Sequence, residues 1–143
     1  MLDKLNRKCY YIRVKRRKQM RFSKQREVVY NVLAATDTHP DVQWIYARAR
    51  EVLPNISLGT VYRNLNELVS AGRVMRICAE GESERFDARA YAHPHFTCLR
   101  CGAISDLDLD KVHLTLDDVG NVVRADIMVY GICAKCQPNV DAT

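Results

Sequence analysis

The chain has no uninterrupted apolar run of 18 or more residues, so no transmembrane helix is expected. Its first twenty residues are basic but hold no continuous apolar stretch, so a secretory signal is not expected either. Internal repeats and low-complexity tracts are absent as well. Core-forming residues are not scarce: 48% of the 143 residues are hydrophobic and 27% are charged, a balance that argues against intrinsic disorder. A chain of this length buries about two thirds of its unfolded surface, so it need not rely on disulfides. These exclusions leave a cytoplasmic globular protein with no membrane partner, built as one domain or as two small adjoining ones.

Charge is present but unevenly placed. Nine of the 22 basic residues (Lys4, Arg7, Lys8, Arg13, Lys15, Arg16, Arg17, Lys18 and Arg21) and only one acid, Asp3, fall in residues 1–21. The remainder holds 13 basic and 16 acidic residues, so the pI of 9.0 belongs to the leader. A basic arm on a mildly acidic body points to an anionic polymer such as nucleic acid. It is equally compatible with a solubilising extension, since Met20 could begin the chain.

Three helical patterns follow the arm. Ser23 caps the first, which runs to about Ala35 with Val28, Val29, Val32 and Leu33 on its apolar side. Asp41 caps the second, in which Val42, Ile45, Tyr46, Ala49, Val52 and Leu53 keep helical spacing until Pro54. Ser57 caps the third, with Leu58, Val61, Tyr62, Leu65, Leu68 and Val69 apolar, Ile56 and Val61 set for a hydrophobic staple, and Gly72 at the C-terminus. Two strand-like runs, 73–79 and 84–90, join around Gly81 as a hairpin. Three helices and a hairpin read as a winged helix-turn-helix, with the third helix in the recognition position. Its polar residues Ser57, Thr60, Arg63, Asn64 and Glu67, with Arg21 and Lys24 beside the first helix, form a face suited to DNA. An ordinary solvated helix face is the plain alternative.

After residues 90–92 the character changes. Short β-like runs at 95–98, 104–107 and 122–130 surround a possible helix at 108–119, with Leu109, Val112, Leu116 and Val119 on one side. A unit of about fifty residues is marginal alone and needs a staple. Two C-x-x-C pairs supply one: Cys98 with Cys101, and Cys133 with Cys136, with 31 residues between the pairs. Four thiolates make a closed tetrahedral shell, for which structural zinc is the expected ion. A rubredoxin-like iron centre uses similar knuckles, but its redox role would leave the helix-turn-helix unexplained. Cys78 reads as a core residue and Cys9 as a bystander.

Of four histidines, three could converge. His93 and His95 stand at i and i+2, so an extended segment turns both to one face. His39 lies in the turn before the second helix, Asp87 on the second wing strand, and Asp106 just beyond the first knuckle. Singly, His39 reads as a turn or capping residue and each aspartate as a surface acid. As a set, three nitrogen and two oxygen donors suit Fe²⁺ or Mn²⁺ better than zinc. His113 reads as a surface residue.

Together these residues resemble the ferric uptake regulator family of dimeric, metal-dependent repressors. The matching segments are Arg21-Phe22-Ser23-Lys24-Gln25-Arg26, His39-Pro40, residues 56–65, Arg85-Phe86-Asp87, residues 93–98 and Tyr130-Gly131-Ile132-Cys133. The resemblance implies an α+β chain: a basic arm at 1–20, a winged-helix DNA-binding domain at 21–90, and a small α/β dimerisation domain at 93–138 with the four-cysteine zinc site. It implies a regulatory Fe²⁺ or Mn²⁺ held by His39, Asp87, His93, His95 and Asp106. It also implies DNA contacts from Arg21, Ser57, Thr60, Tyr62 and Arg63.

Asp106 resembles the aspartate of the family's peroxide-sensing branch, where iron sensors usually carry glutamate. Ala92, Pro94 and Ala125 stand where iron sensors often supply ligands for a further metal. The expectation is therefore a homodimeric, non-enzymatic repressor of a DNA operator, with no small organic substrate, that senses hydrogen peroxide through Fe²⁺-catalysed oxidation of His39 or His93. An iron-sensing repressor of the same family is the alternative. The segment between Asp106 and Tyr130 is shorter than the family norm, so its dimerisation helix is expected to be abbreviated. Two other classes compete: a non-haem iron oxygenase, for which no β-barrel pattern is found, and a zinc-ribbon protein with a nucleic-acid arm but no metal sensing.

Overall fold

The computed structural model describes residues 20–78, 83–122 and 125–137. Residues 1–19 of the basic arm, Cys9 among them, and the wing turn around Gly81 lie outside the described residues. The chain divides between Ala90 and Tyr91 into two compact units.

In the first unit, three helices begin where short polar side chains can accept the orphan amides of a first turn. Helix α1 (Lys24–Ala34) is capped by Ser23, which accepts from the Arg26 amide. Helix α2 (Val42–Val52) is capped by Asp41, whose carboxylate accepts from the Trp44 amide at 2.9 Å. Helix α3 (Leu58–Ser70) is capped by Ser57, accepting from the Thr60 amide at 3.1 Å. Helix α3 ends in a Schellman arrangement: the Arg73 amide donates to Leu68 O at 2.9 Å and the Gly72 amide to Val69 O at 3.0 Å. Gly72 sits there at φ 69°, a conformation in which a Cβ would be strained.

The apolar stripes meet in one core of Val29, Leu33, Val42, Ile45, Ala49, Ile56, Val61, Leu65, Leu68, Val69, Val74 and Phe86. Both staple residues, Ile56 and Val61, are buried in it. Val52, placed on the apolar side of α2 by spacing, is instead exposed, since it lies at the helix end beyond the packed turns. Strands β1 (Met75–Ile77) and β2 (Arg85–Asp87) pair antiparallel, with Met75 opposite Asp87. Cys78, just past β1, is half-buried rather than a core residue.

On its other side β2 reaches the turn before α2: the Phe86 amide donates to Pro40 O at 3.0 Å, and Asp41 forms a β-bridge with Arg85. The Arg85 guanidinium donates to His39 O at 3.2 Å. This lacing fixes one end of α2 to the wing strand.

The second unit is a three-stranded sheet in the order β4-β3-β5. Strand β3 (His95–Cys98) pairs antiparallel with β4 (Ile104–Asp106) and parallel with β5 (Met128–Gly131). The run expected at 122–130 forms a strand only from Met128, and residues 123–124 lie outside the described set. The helix expected at 108–119 is not formed: a single 3-10 turn spans Leu109–Lys111, and residues 112–116 belong to no helix. Leu109, Leu114 and Val119 are exposed, so this segment offers no buried face to reward a helix.

Candidate metal centres and nucleic-acid face

Both knuckles grow from the ends of the sheet. Strand β3 runs into the first, where the Gly102 amide donates to Cys98 O at 2.9 Å and the Cys98 amide to Ala103 O at 2.9 Å. Gly102 closes that turn at φ 69°. Strand β5 runs into the second, where the amides of Cys136 and Gln137 both donate to Cys133 O. The Leu99 amide, donating to Gly131 O at 2.7 Å, ties the two together.

As a result, one sulfur from each of Cys98, Cys101, Cys133 and Cys136 lies within 4.8 Å of the others. Their electrostatics fit a cation. The backbone amides of Cys133 and then Cys101 hold the fully buried Cys98 thiol down at about 6, against burial that pushes it up. The Cys136 thiol, donating to the sulfurs of Cys133 and Cys101, is pushed up to about 12. One thiolate forms readily and a further one is opposed by it, so the set ionises fully only around a positive ion. Four converging sulfurs, with no fifth donor grouped with them among the described residues, match structural zinc.

The same sheet arranges the second unit's histidines. His95, in the central strand, stands opposite Asp106 in the antiparallel register, so both project from one face. The His95 Nε2 lies 3.5 Å from Asp106 Oδ1, and His93 Nε2 lies 2.9 Å from the same oxygen. The His93 ring also donates from Nδ1 to Tyr91 O at 2.8 Å, because a carbonyl can only accept. In a neutral imidazole that bond leaves the Nε2 lone pair facing a carboxylate oxygen. A proton or a metal ion must lie between two such acceptors, and fixing a ligand histidine through its other nitrogen is the usual support of a metal site.

In the first unit the lacing of β2 to the turn at His39 brings a second pair together. His39 Nε2 lies 3.2 Å from Asp87 Oδ2, with both side chains buried. Asp87 is oriented from its other oxygen, Oδ1, which accepts the Arg89 amide at 2.8 Å. His39 has φ 52°, so the turn residue read from sequence is in the left-handed region. The first unit thus holds one imidazole and one carboxylate close together, and the second, separately, two imidazoles and one carboxylate.

The candidate DNA residues lie just before α1 (Arg21), at the cap of α3 (Ser57) and along its first two turns (Thr60, Tyr62, Arg63). Arg21 and Arg63 are exposed, and Tyr62, which spacing alone puts on the apolar side, is 41% exposed. Ser57 is engaged as a cap, and its hydroxyl also bonds that of the half-buried Thr60 at 2.9 Å. Two residues of the polar face are placed differently from the sequence reading. Asn64 is buried, at 3% exposure, because its helical position turns it toward the core. Glu67 accepts from Arg26 at 2.6 Å, which partly neutralises it. Arg26 also donates to Arg21 O. This buried arginine, absent from the sequence-level set, binds the start of the unit to α3, and its sequence signal was only a charge on the inward side of α1.

Comparison with known proteins bears on these sites. Residues 17–128 match the profile described as the Ferric uptake regulator family. The peroxide-responsive repressor PerR of Staphylococcus saprophyticus is 34% identical over 123 residues, which cover 82% of this chain and 83% of that protein. The Helicobacter pylori ferric uptake regulator Fur, whose structure is described as having three functional metal binding sites, superposes with a TM-score of 0.74. The identity is 26%, over 85% of each chain. A Campylobacter jejuni peroxide stress regulator superposes with a TM-score of 0.70 at 32% identity, over 78% of this chain and 88% of its own.

Proposed function

The chain belongs to the ferric uptake regulator family, whose members are metal-dependent transcriptional regulators, and from that premise we propose that it is a peroxide-sensing repressor. It acts as a homodimer on double-stranded operator DNA. Helix α3 enters the major groove with Arg63, Tyr62 and Thr60, Ser57 sits at its N-terminus, and Arg21 meets phosphate. Two copies joined through the second unit present two such helices to successive half-sites.

The regulatory ion is Fe²⁺ or Mn²⁺, and its ligands are His39, Asp87, His93, His95 and Asp106. The first unit's pair is too few to hold such an ion, and the second unit's three donors leave its shell open. Joining both sets gives a hard site whose occupation couples the two units. Metal drives that coupling only through greater affinity for the DNA-competent arrangement. The observation that carries the reading is the His93–Asp106–His95 contact, with His93 held through its Nδ1 by Tyr91 O.

Ferrous iron, when bound, supplies the electron that cleaves hydrogen peroxide beside the imidazoles. Around it, Tyr91 O and Asp87 keep the His93 and His39 rings in reach, so these two rings are the oxidation targets. An oxygen added to either ring weakens it as a donor, and the metal-dependent affinity for DNA falls. Names of relatives support peroxide as the signal, including the repressor of S. saprophyticus and the regulator of C. jejuni. The likeness to the H. pylori ferric uptake regulator favours iron itself as the competing signal.

The test is DNA binding with Fe²⁺ and with Mn²⁺, before and after peroxide, followed by peptide mass spectrometry. Release from DNA with iron but not manganese, with one oxygen gained on residues 27–48 or 90–100, is expected. Unmodified histidines with intact iron-dependent binding would transfer the reading to the iron sensor. In a separate arm, His95→Ala should abolish metal-dependent binding. If binding persists undiminished, metal sensing is abandoned.

A further inference from the structure

Strand β3 has a neighbour on each side, and the register places a sulfur on the flank that the metal reading leaves unused. His95 is paired with Asp106 on β4 and, in the parallel ladder, with Met128 on β5. Paired residues project from the same face, so Asp106, His95 and Met128 form a row across the sheet. Thr97, two residues along β3 and therefore on that face, donates its hydroxyl to Met128 Sδ at 3.1 Å. Thr97 is 3% exposed and Met128 half-buried, which fixes the thioether while leaving it within reach of a small solute. A thioether is a poor acceptor for a buried hydroxyl, and an apolar methionine gains little beside two imidazoles and a carboxylate.

We propose that Met128 is a second, repairable peroxide target: hydrogen peroxide entering the His93–His95–Asp106 face oxidises its thioether to the sulfoxide. A sulfur lone pair attacks one peroxide oxygen, the S–O bond forms and the O–O bond breaks. The departing hydroxide takes the remaining peroxide proton and leaves as water. Sulfur loses two electrons and peroxide gains them, with no metal required. The product oxygen is a far stronger acceptor than sulfur, so the Thr97 hydroxyl turns to it. An ordinary O–H···O bond of about 2.7–2.8 Å cannot fit within the present 3.1 Å between Thr97 Oγ1 and sulfur, so the sulfur must retreat. That displacement falls on β5 at the register position of His95, and it weakens the histidine site without destroying a ligand. Unlike an oxidised histidine, a sulfoxide is reversed by methionine sulfoxide reductases.

This inference rests on peroxide reaching the proposed sensing face, and its test separates the two ideas. The full-length protein, metal-free and iron-loaded, is treated with limiting hydrogen peroxide and its peptides are weighed. One oxygen on residues 125–135 should appear several-fold faster than on Met20 or Met75, which are half-buried in the other unit. Reductase treatment should remove it and restore part of the DNA affinity. Met128→Leu should keep metal-dependent DNA binding but lose the reductase-reversible part of the response. Met128→Gln, a polar stand-in, should weaken Mn²⁺-dependent binding several-fold. Oxidation of residues 90–100 with Met128 untouched would overturn this inference and leave the histidine reading standing. Oxidation of Met128 alone would do the reverse. Equal rates at Met20, Met75 and Met128 would also overturn it, as would an unchanged reversible response in Met128→Leu.

Discussion

Among the described residues His39 is the only non-glycine with a positive φ, and it is also a candidate ligand. Such a conformation costs about 1–3 kcal/mol and persists where neighbouring bonds over-determine it. Here those bonds come from Arg85 and from the Phe86 amide to Pro40 O. Asparagine tolerates the same conformation, so His39→Asn should melt within a few degrees of the parent. It should nonetheless bind Mn²⁺ about tenfold or more weakly, as read by metal titration. A melting loss as large as the metal loss would make His39 structural.

The thiols give a second residue-level expectation. The folded pKa of Cys98 lies below its ordinary 9.0, so in metal-free protein its contribution is complete above about 9 and lost as pH falls through about 6. Cys136 is shifted the other way, so its contribution is complete below 9 and lost as pH rises toward about 12. The denaturant midpoint of the metal-free second unit should therefore peak near pH 9. At this scale the sequence was informative about chemistry, since C-x-x-C spacing and His-x-His alternation are rules of turn and strand. It was uninformative about Arg26, Asn64 and Met128, whose roles depend on which long-range neighbour lies opposite.

Helix starts were readable because a cap is a local matter: Ser23, Asp41 and Ser57 each accept an amide three residues on. Ser57→Ala should cost about 1 kcal/mol of stability, visible as a lowered melting temperature. Gly72→Ala should cost about as much through backbone strain alone, since no atom lies within 4 Å of the added Cβ. A neutral Gly72→Ala would contradict the Schellman geometry. The unformed helix at 108–119 shows the limit of periodicity. Leu109, Val112, Leu116 and Val119 have helical spacing, but Asp110, Thr115, Asp117 and Asp118 favour turns, and helix stability comes mostly from a packed face. With Leu109 and Val119 exposed, no such face is packed among the described residues.

Among the described residues, secondary structure is divided unequally: all three α-helices belong to the first unit and the thiol cluster to the second. A strong chelator should therefore leave the helical far-ultraviolet signal nearly intact while amide protection along β3, β4 and β5 falls about tenfold or more. Parallel loss of both signals would mean that the first unit depends on the staple.

Strand β3 is only four residues long and carries His95 at one end and Cys98 at the other, about 10 Å apart along its axis. Side chains alternate along it, so a slip of one place would swing Phe96 to where His95 stands and turn the imidazole to the far side. Anchoring Cys98 in the sulfur cage forbids that slip. Zinc in that cage then acts as an index pin: from the far end of the strand it decides which side chain of β3 faces Asp106.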